Sequence, residues 1–296
     1  MHFGRLLVPI AAAAGLTALV LVATAPAGAA PPRHPAASPR AQLSIAMHTN
    51  PVEFVPGAGL TGSILHSQNW AGYVALPKSK AGRFRAISAQ FRVPRVNCTK
   101  TPHTISVHWV GLDGFSLSAS HPNKTVEQDG VLAQCAGAKG RTAQYAAWWE
   151  NFPANPIRVA FRIHPGNLIV SSVIHKTKPG AHHNQYNLIV RDLTTHKRLN
   201  VWKKCGAKSC QDNTAEIISE APTGKAGILP LSDYRTIKYA KIRITNLRAK
   251  VGGISSSMWK HDKIVQFDTA GHLLAMPTVL FGHGGRGFNV TWHRRA

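Results

Sequence analysis

Residues 186–204, YNLIVRDLTTHKRLNVWKK, contain two runs of strand-forming residues on either side of a short polar segment. The runs YNLIVRDL (186–193) and RLNVWKK (198–204) are rich in aliphatic, β-branched and aromatic side chains, which are enriched in β-strands. The four residues between them, TTHK (194–197), are polar and few enough to reverse the chain. This pattern predicts a β-hairpin.

Other parts of the chain repeat the same signals. IRVAFRI and LIVSSVI flank HPGN (164–167), which predicts a second hairpin. Further strands are predicted in SQNWAGYVAL (67–76), FRAISAQFRV (84–93), TIKYAKIRITNL (236–247) and GFNVTW (287–292). No segment has a sustained helical period. Many strands with frequent turns and no crossover helices predict an all-β fold, an antiparallel β-sandwich.

The composition is strongly basic. The 296 residues include 35 Lys and Arg against 12 Asp and Glu, a formal charge of +23. The basic residues are spread along the chain, without a run of five or more, so the charge does not indicate a specific nucleic-acid partner.

The N-terminus predicts export. A short basic start precedes an apolar stretch that ends in Ala27-Gly28-Ala29, as in a signal peptide. The alternative is a membrane anchor, but the Ala-x-Ala end and the Pro-rich sequence after it favour cleavage and secretion. We therefore expect a signal peptide at 1–29, a propeptide or linker at 30–66, a folded domain at 67–296 and an extracellular protein without membrane contact.

The four cysteines fit an exported protein. Of the three possible pairings, the simplest joins Cys98 to Cys135 and Cys205 to Cys210. A zinc site would need a Cys-x-x-Cys or a paired His-Cys spacing, which is missing. We expect two disulfides, no metal and no cofactor.

The common hydrolase motifs are also missing. The chain has neither Gly-x-Ser-x-Gly nor His-Glu-x-x-His. FDTAG (267–271) resembles the turn of an aspartic protease, but such an enzyme needs a second aspartate in a similar turn to share its proton. Neither Asp113 nor Asp129 lies in one.

Four strand-like segments each place a tryptophan, an acid or an amide on one face. Alternation along a strand groups the residues in this way. The groups are Trp109 with Gly111 and Asp113, Val126 with Gln128 and Gly130, Trp148 with Glu150 and Phe152, and Glu216 with Glu220. Together they predict an aromatic groove with a few polar groups for an extended ligand. The alternative is that the tryptophans are core residues and the acids are solvated.

Six motifs in order resemble those of the eqolisins, the glutamic peptidases. They are NWAGYV (69–74), FRVP (91–94), WVGLDG (109–114), VEQDG (126–130), YAAWWENFP (145–153) and AEIISEAP (215–222). The resemblance implies a lectin-like sandwich of two seven-stranded antiparallel sheets. It also implies a secreted, acid-acting endopeptidase made as a precursor.

The catalytic pair of this family falls on Gln128 and Glu220. Further family positions in the substrate groove fall on Trp70, Trp109, Trp148, Glu150 and Glu216, and Asp113 is a further candidate on the same face. The chain departs from the family at Phe152, where a tyrosine is usual, and in its high positive charge.

The chemistry of peptide hydrolysis suits this pair. Hydrolysis without a metal or a covalent intermediate needs a base for water and a donor for the oxyanion. Glu220 supplies the base and later returns the proton to the leaving amine. Gln128 has a carbonyl to hold the water and an NH₂ to donate to the oxyanion, and it never titrates. We interpret Glu216 as a structural hydrogen-bond acceptor.

Two other functions are compatible with the pattern. A tryptophan-lined sandwich could bind or cleave carbohydrate, although a glycosidase needs a second carboxylate where Gln128 stands. An inactive adhesion domain could use the positive charge on anionic surfaces. For the peptidase we expect extended polypeptides as partners and a monomeric state.

Overall fold

The computed structural model describes residues 64–79, 82–116 and 123–295. This part of the chain forms nineteen strands and contains no α-helix. The strands are β1 (Ile64–Ser67), β2 (Trp70–Pro77), β3 (Phe84–Arg92), β4 (Ile105–Asp113), β5 (Val126–Ala136), β6 (Thr142–Phe152), β7 (Ile157–Arg162), β8 (Leu168–Lys176), β9 (Gln185–Asp192), β10 (Lys197–Arg198), β11 (Val201–Lys203), β12 (Ala215–Glu220), β13 (Thr223–Gly224), β14 (Gly227–Ile228), β15 (Thr236–Asn246), β16 (Val251–Gly252), β17 (Trp259–Phe267), β18 (Leu273–Pro277) and β19 (Phe288–Trp292).

Strand pairing corrects the expected two separate seven-stranded sheets. Seventeen strands belong to one continuous sheet, and β13 and β14 form a small second one. One half of the sheet runs β7-β6-β5-β4-β12-β2-β17, and the other runs β18-β19-β15-β3-β8-β9. The short β17–β18 pairing joins the halves. All pairs are antiparallel except β1 with β17.

The main core lies between the two halves. Large buried side chains of one half, including Phe84, Phe91, Tyr239 and Phe288, belong to the same cluster as Val110, Val131 and Ile217 of the other half. Because alternate residues of a strand point to opposite sides, each strand sends every second side chain into this core. The intervening side chains of each half point away from it and are available for other uses.

One of the two predicted hairpins is confirmed and the other is wrong. β10 pairs with β9 through Lys197↔Asp192 and Arg198↔Arg191, as predicted for the turn at 194–197. β7 and β8, by contrast, do not pair across residues 164–167: β7 pairs with β6, and β8 pairs with β3 and β9. The HPGN turn therefore carries the chain from one half of the sheet to the other.

Both predicted disulfides are confirmed. Cys98 is bonded to Cys135, with a sequence separation of 37, and Cys205 is bonded to Cys210, with a separation of 5. Cys98 and Cys135 are buried in the main core, whereas the second bridge closes the loop that precedes β12.

Among the described residues, the sheet includes β1 from Ile64, because β1 pairs with β17. The expected domain boundary at residue 67 stays a prediction. The predicted signal peptide and most of the predicted propeptide lie outside the described residues. Within the described part, no helix has the length and apolar character needed to cross a membrane.

The disulfides should differ in their effect on stability. In the chain-entropy model a bridge stabilises the fold by closing a loop in the unfolded chain, and a longer loop contributes more. Cys98→Ala/Cys135→Ala should lower the free energy of unfolding by about 4 kcal/mol, and Cys205→Ala/Cys210→Ala by about 2 kcal/mol. Urea denaturation at neutral pH measures both values. A larger loss in the second variant would contradict the loop-length argument.

Candidate active site

A second apolar cluster lies on the face of β2, β12, β4, β5 and β6 that points away from the main core. Its buried members include Trp70, Trp109, Trp148, Ile218 and Val126. The three tryptophans come from three different strands. This is the face on which the sequence placed the tryptophan, acid and amide groups.

β12 shows the alternation most clearly. Ala215 and Ile217 belong to the main core, and Ile218 belongs to the second cluster. Glu216 and Glu220 therefore share the face of Ile218. Both carboxyl groups are buried.

Glu220, at the end of β12, is held by a tryptophan of the neighbouring strand. The indole N–H of Trp109 donates to Glu220 Oε2 over 2.7 Å. The ring of Trp70 meets that of Trp109 edge to face, with 5.0 Å between centroids. These contacts fix the position and orientation of the Glu220 carboxyl group.

Gln128 lies on the same face in a different cross-strand row. It pairs with Gly111 of β4 and with Glu150 of β6, and Gly111 pairs in turn with Glu216. The Gln128 amide donates to Glu150 Oε2 over 2.9 Å. A Cβ on Gly111 would lie 2.8 Å from the Trp109 ring and 3.2 Å from Gln128 Cβ, so a side chain larger than hydrogen would disturb this row.

Asp113, at the end of β4, contacts a loop through its carboxylate. Its carboxylate accepts the backbone N–H groups of Gln211, Asp212 and Asn213 over 2.8 to 3.0 Å. It therefore holds the loop between the Cys205–Cys210 bridge and β12. Asp113 is thus a structural residue of that loop, and its assignment to the substrate groove stays a prediction.

The family model for the peptidase A4 family matches residues 68–274. The chain belongs to this family. The expected membership of the eqolisins, the glutamic peptidases, is thereby confirmed, and the chain is a glutamic endopeptidase. None of the curated protein sequences matches it significantly.

Solved structures of glutamic peptidases share its fold. Scytalidoglutamic peptidase with a peptide-based transition-state analogue aligns with a TM-score of 0.58 at 18% identity, over 76% of this chain and 98% of that one. SCP-B, an eqolisin in a complex with the tripeptide Ala-Ile-His, aligns with a TM-score of 0.56 at 16% identity, again over 76% of this chain and 98% of that one. Aspergilloglutamic peptidase from Aspergillus niger aligns with a TM-score of 0.50 at 20% identity, over 64% of this chain and 99% of that one.

The peptidase also buries carboxyl groups on the inner side of β5. Asp129 accepts the N–H of Ser172 over 3.2 Å and that of Ile189 over 2.7 Å, and it accepts the Ser171 hydroxyl. These bonds tie β5 to the other half of the sheet. Burial nevertheless raises the pKa of Asp129 well above its usual value.

Glu127 lies beside the second disulfide. The pKa of Glu127 is raised well above its usual value. Burial is the main cause, and the negative charges of Asp113 and Asp212 add to it. Glu127 Oε1 is 3.0 Å from Cys210 Sγ, which carries no hydrogen because it is in a disulfide. The contact is therefore not a hydrogen bond donated by Cys210.

Glu216 is the third carboxyl group of this kind. Burial is the main cause that raises its pKa well above the usual value, and the nearby Asp113 charge adds to the effect. The Thr214 side chain and the Phe115 backbone act in the opposite direction. Neither carboxyl oxygen of Glu216 has a hydrogen-bond partner among the described residues, so its role as a structural acceptor stays a prediction.

The sequence analysis missed His108 of β4, which lies beside β12. His108 Nδ1 is 3.0 Å from Ser219 Oγ, and Tyr239 OH donates to the Ile218 carbonyl over 2.8 Å. Burial lowers the pKa of His108 to about 3, so its ring is neutral except in strong acid. The signal for this contact is the register pair His108↔Ser219, which is visible only once the strand partners are known.

The buried carboxyl groups predict an unusual pH dependence of stability. A group whose pKa is raised on folding keeps a proton that the unfolded chain releases, so stability falls as pH rises through the window between the two values. Glu127→Gln keeps the shape of the neutral acid. Its melting temperature should equal that of the wild type at about pH 4 and exceed it at about pH 7.

Asp268→Asn is a control for which the opposite pH dependence of stability is expected. The backbone N–H of His272 is the main cause that lowers the pKa of Asp268, so its ionised form stabilises the fold. This variant should match the wild type in strong acid and melt earlier at about pH 7. If the melting temperatures of Glu127→Gln and the wild type change with pH in parallel, folding does not raise the pKa of Glu127.

Proposed function

We propose that the chain is a secreted endopeptidase active in acid, in which Glu220 is the general base and acid and Gln128 stabilises the oxyanion. The observation that carries the proposal is the location of both residues on one tryptophan-lined face in a member of the peptidase A4 family. Its substrates are polypeptides, and we infer that they bind to this face in an extended form.

The contact of Glu220 with Trp109 supports a role as base. The indole N–H of Trp109 gives the Glu220 carboxyl group a defined orientation, which a general base for a water molecule requires. After it takes a proton from that water, the same group returns the proton to the leaving amine. The peptide bond is thereby hydrolysed without a covalent intermediate.

The contact of Gln128 with Glu150 supports its role as a donor. An NH₂ group donates twice, so a bond to Glu150 is compatible with a second bond to the developing oxyanion. Because Glu150 holds the amide in place, little reorganisation is needed when charge develops. Glu150 is thus a positioning residue for Gln128.

The tryptophans are suited to bind the peptide backbone. The indole N–H groups of Trp70 and Trp148 are buried without an acceptor among the described residues. A buried donor without an acceptor is unusual, and substrate carbonyl groups would satisfy both. We assign Trp70, Trp109 and Trp148 to the substrate site, with Glu150 and Glu216 supporting it.

Substitution of the catalytic pair should abolish most of the activity. Glu220→Gln keeps the shape but removes the base, and Gln128→Ala removes the donor. Each should lower kcat for a peptide substrate in acid by at least about 10²-fold. The far-UV circular dichroism spectrum should stay that of the wild type.

Glu216→Gln is the matched control, because it makes the same change on the same face of the same strand. We expect it to keep kcat within about tenfold of the wild type, as a positioning role would allow. If Glu216→Gln loses activity while Glu220→Gln retains it, Glu216 is the base and the assignment is wrong.

We further propose that the precursor is latent near neutral pH. The side chains assigned to the site are buried, which supports a latent form. Residues 30–63 lie outside the described part but carry Arg33, His34, Arg40 and His48 with the single acid Glu53. Such a segment would be attracted to the carboxylates of the site and would lose that attraction as they become protonated.

Incubation of the purified precursor across a pH series tests this idea. Wild-type chain should shorten at its N-terminus below about pH 5, as followed by mass spectrometry, and Glu220→Gln should not. Equal processing of the two chains would exclude self-cleavage. Full activity of the unprocessed precursor at neutral pH would exclude latency.

A further inference from the structure

A cavity of about 510 Å³ lies on the outer face of the other half of the sheet. Phe91 of β3 and Tyr239 of β15 are buried in the main core. Their neighbours Gln90, Arg92 and Ala240 therefore point outward, where they line the cavity. Its volume lies within the range of about 300 to 1,000 Å³ found for small-molecule sites.

The walls of the cavity are mostly apolar. Val93 and Pro94 line one side where the chain leaves β3, and Leu168 of β8 and Ala240 of β15 also contribute. The register between β15 and β3 shifts between Ala240 and Arg243, which marks a β-bulge. Bulges commonly change the direction of side chains next to functional sites.

Three cations surround this apolar space. Arg92 Nη1 donates to the Gly166 carbonyl over 3.0 Å, which positions its guanidinium group. Lys238 Nζ lies 5.3 Å from the centroid of the Phe281 ring. Lys241 is exposed in the bulge. All three line the cavity.

No carboxylate balances these charges. The cavity has no Asp or Glu in its lining, and none of its three cations forms a salt bridge within the described ranges. The acids of this part of the chain are all buried or half-buried, so the surface around the cavity is positive. A concave site of one charge sign attracts ligands of the opposite sign.

We propose that this cavity is a binding site for a small amphiphilic anion, with an acidic head group on an apolar body the size of a medium alkyl chain. The apolar walls would take up the body, and Arg92, Lys238 and Lys241 would contact the head group. The site faces away from the catalytic residues on the other half of the sheet, so the inference is independent of the proposed peptidase mechanism.

Calorimetric titration of the full chain with decanoate tests this site, at low salt, near neutral pH and below the micelle concentration. We expect saturable binding of one decanoate per chain, weakened by added salt. Lys238→Gln/Lys241→Gln should lower the affinity by at least about fivefold, because two head-group contacts are lost. Ala240→Phe should abolish binding because it fills the cavity.

Three controls make the result specific. Lys250→Gln/Lys260→Gln removes the same charge outside the cavity and should bind decanoate as the wild type does. Decyl maltoside has the same chain length with a neutral head group and should bind much more weakly. Thermal melting shows whether each variant remains folded.

Several outcomes would overturn the inference. They are a lack of saturable binding, equal affinity for decanoate and decyl maltoside, and equal losses in the two double-lysine variants. Binding to vesicles of anionic phospholipid without binding to decanoate would assign the surface to a membrane instead. Because binding is the readout, loss of peptidase activity in another variant leaves this test unaffected.

Discussion

The cross-strand register of β4, β5 and β12 is the constraint on which the site depends. It sets Gln128 and Glu216 on either side of Gly111, and it places Glu220 on the same face beside Trp109. A slip of one residue would turn Glu220 into the main core and Ile217 out of it. The main core, which requires Ile217 and Val131, thus enforces the geometry of the outer face.

The strand register also determines where several of the few acidic residues of this basic chain lie. Asp129 and Glu127 point inward from β5, opposite to Gln128, and Asp113 holds the loop before β12. Carboxyl groups in such places are favoured in their protonated form unless several donors surround them. A fold that hides its acids and exposes its lysines and arginines is suited to acid, where hidden carboxyl groups gain protons without disruption. With a sequence pI of about 10.6, the chain carries a net positive charge in acid and at neutral pH.

Much of the fold was predictable because the signals are local. Alternation within β3, β12, β15 and β19 and the polar turn at 194–197 all lie within a few residues of one another. The disulfides followed from spacing. The failed hairpin at 164–167 shows the limit of such signals, since β7 and β8 have the right composition and a suitable turn yet pair with other strands. Backbone hydrogen bonds are alike for any pairing, and burial over the whole domain selects among them.

The sequence by itself determined the fold class, the two disulfides, the family and the shared face of Glu216 and Glu220, because each rests on short-range patterns or on the order of motifs. Only the tertiary structure decided that one continuous sheet bends over its core, that Asp113 holds a loop, that Trp109 contacts Glu220 and Glu150 contacts Gln128, and that a basic cavity lies on the opposite half. These features join residues far apart in the chain. Their distances depend on strand register and on the packing of the two halves, which composition and spacing do not encode.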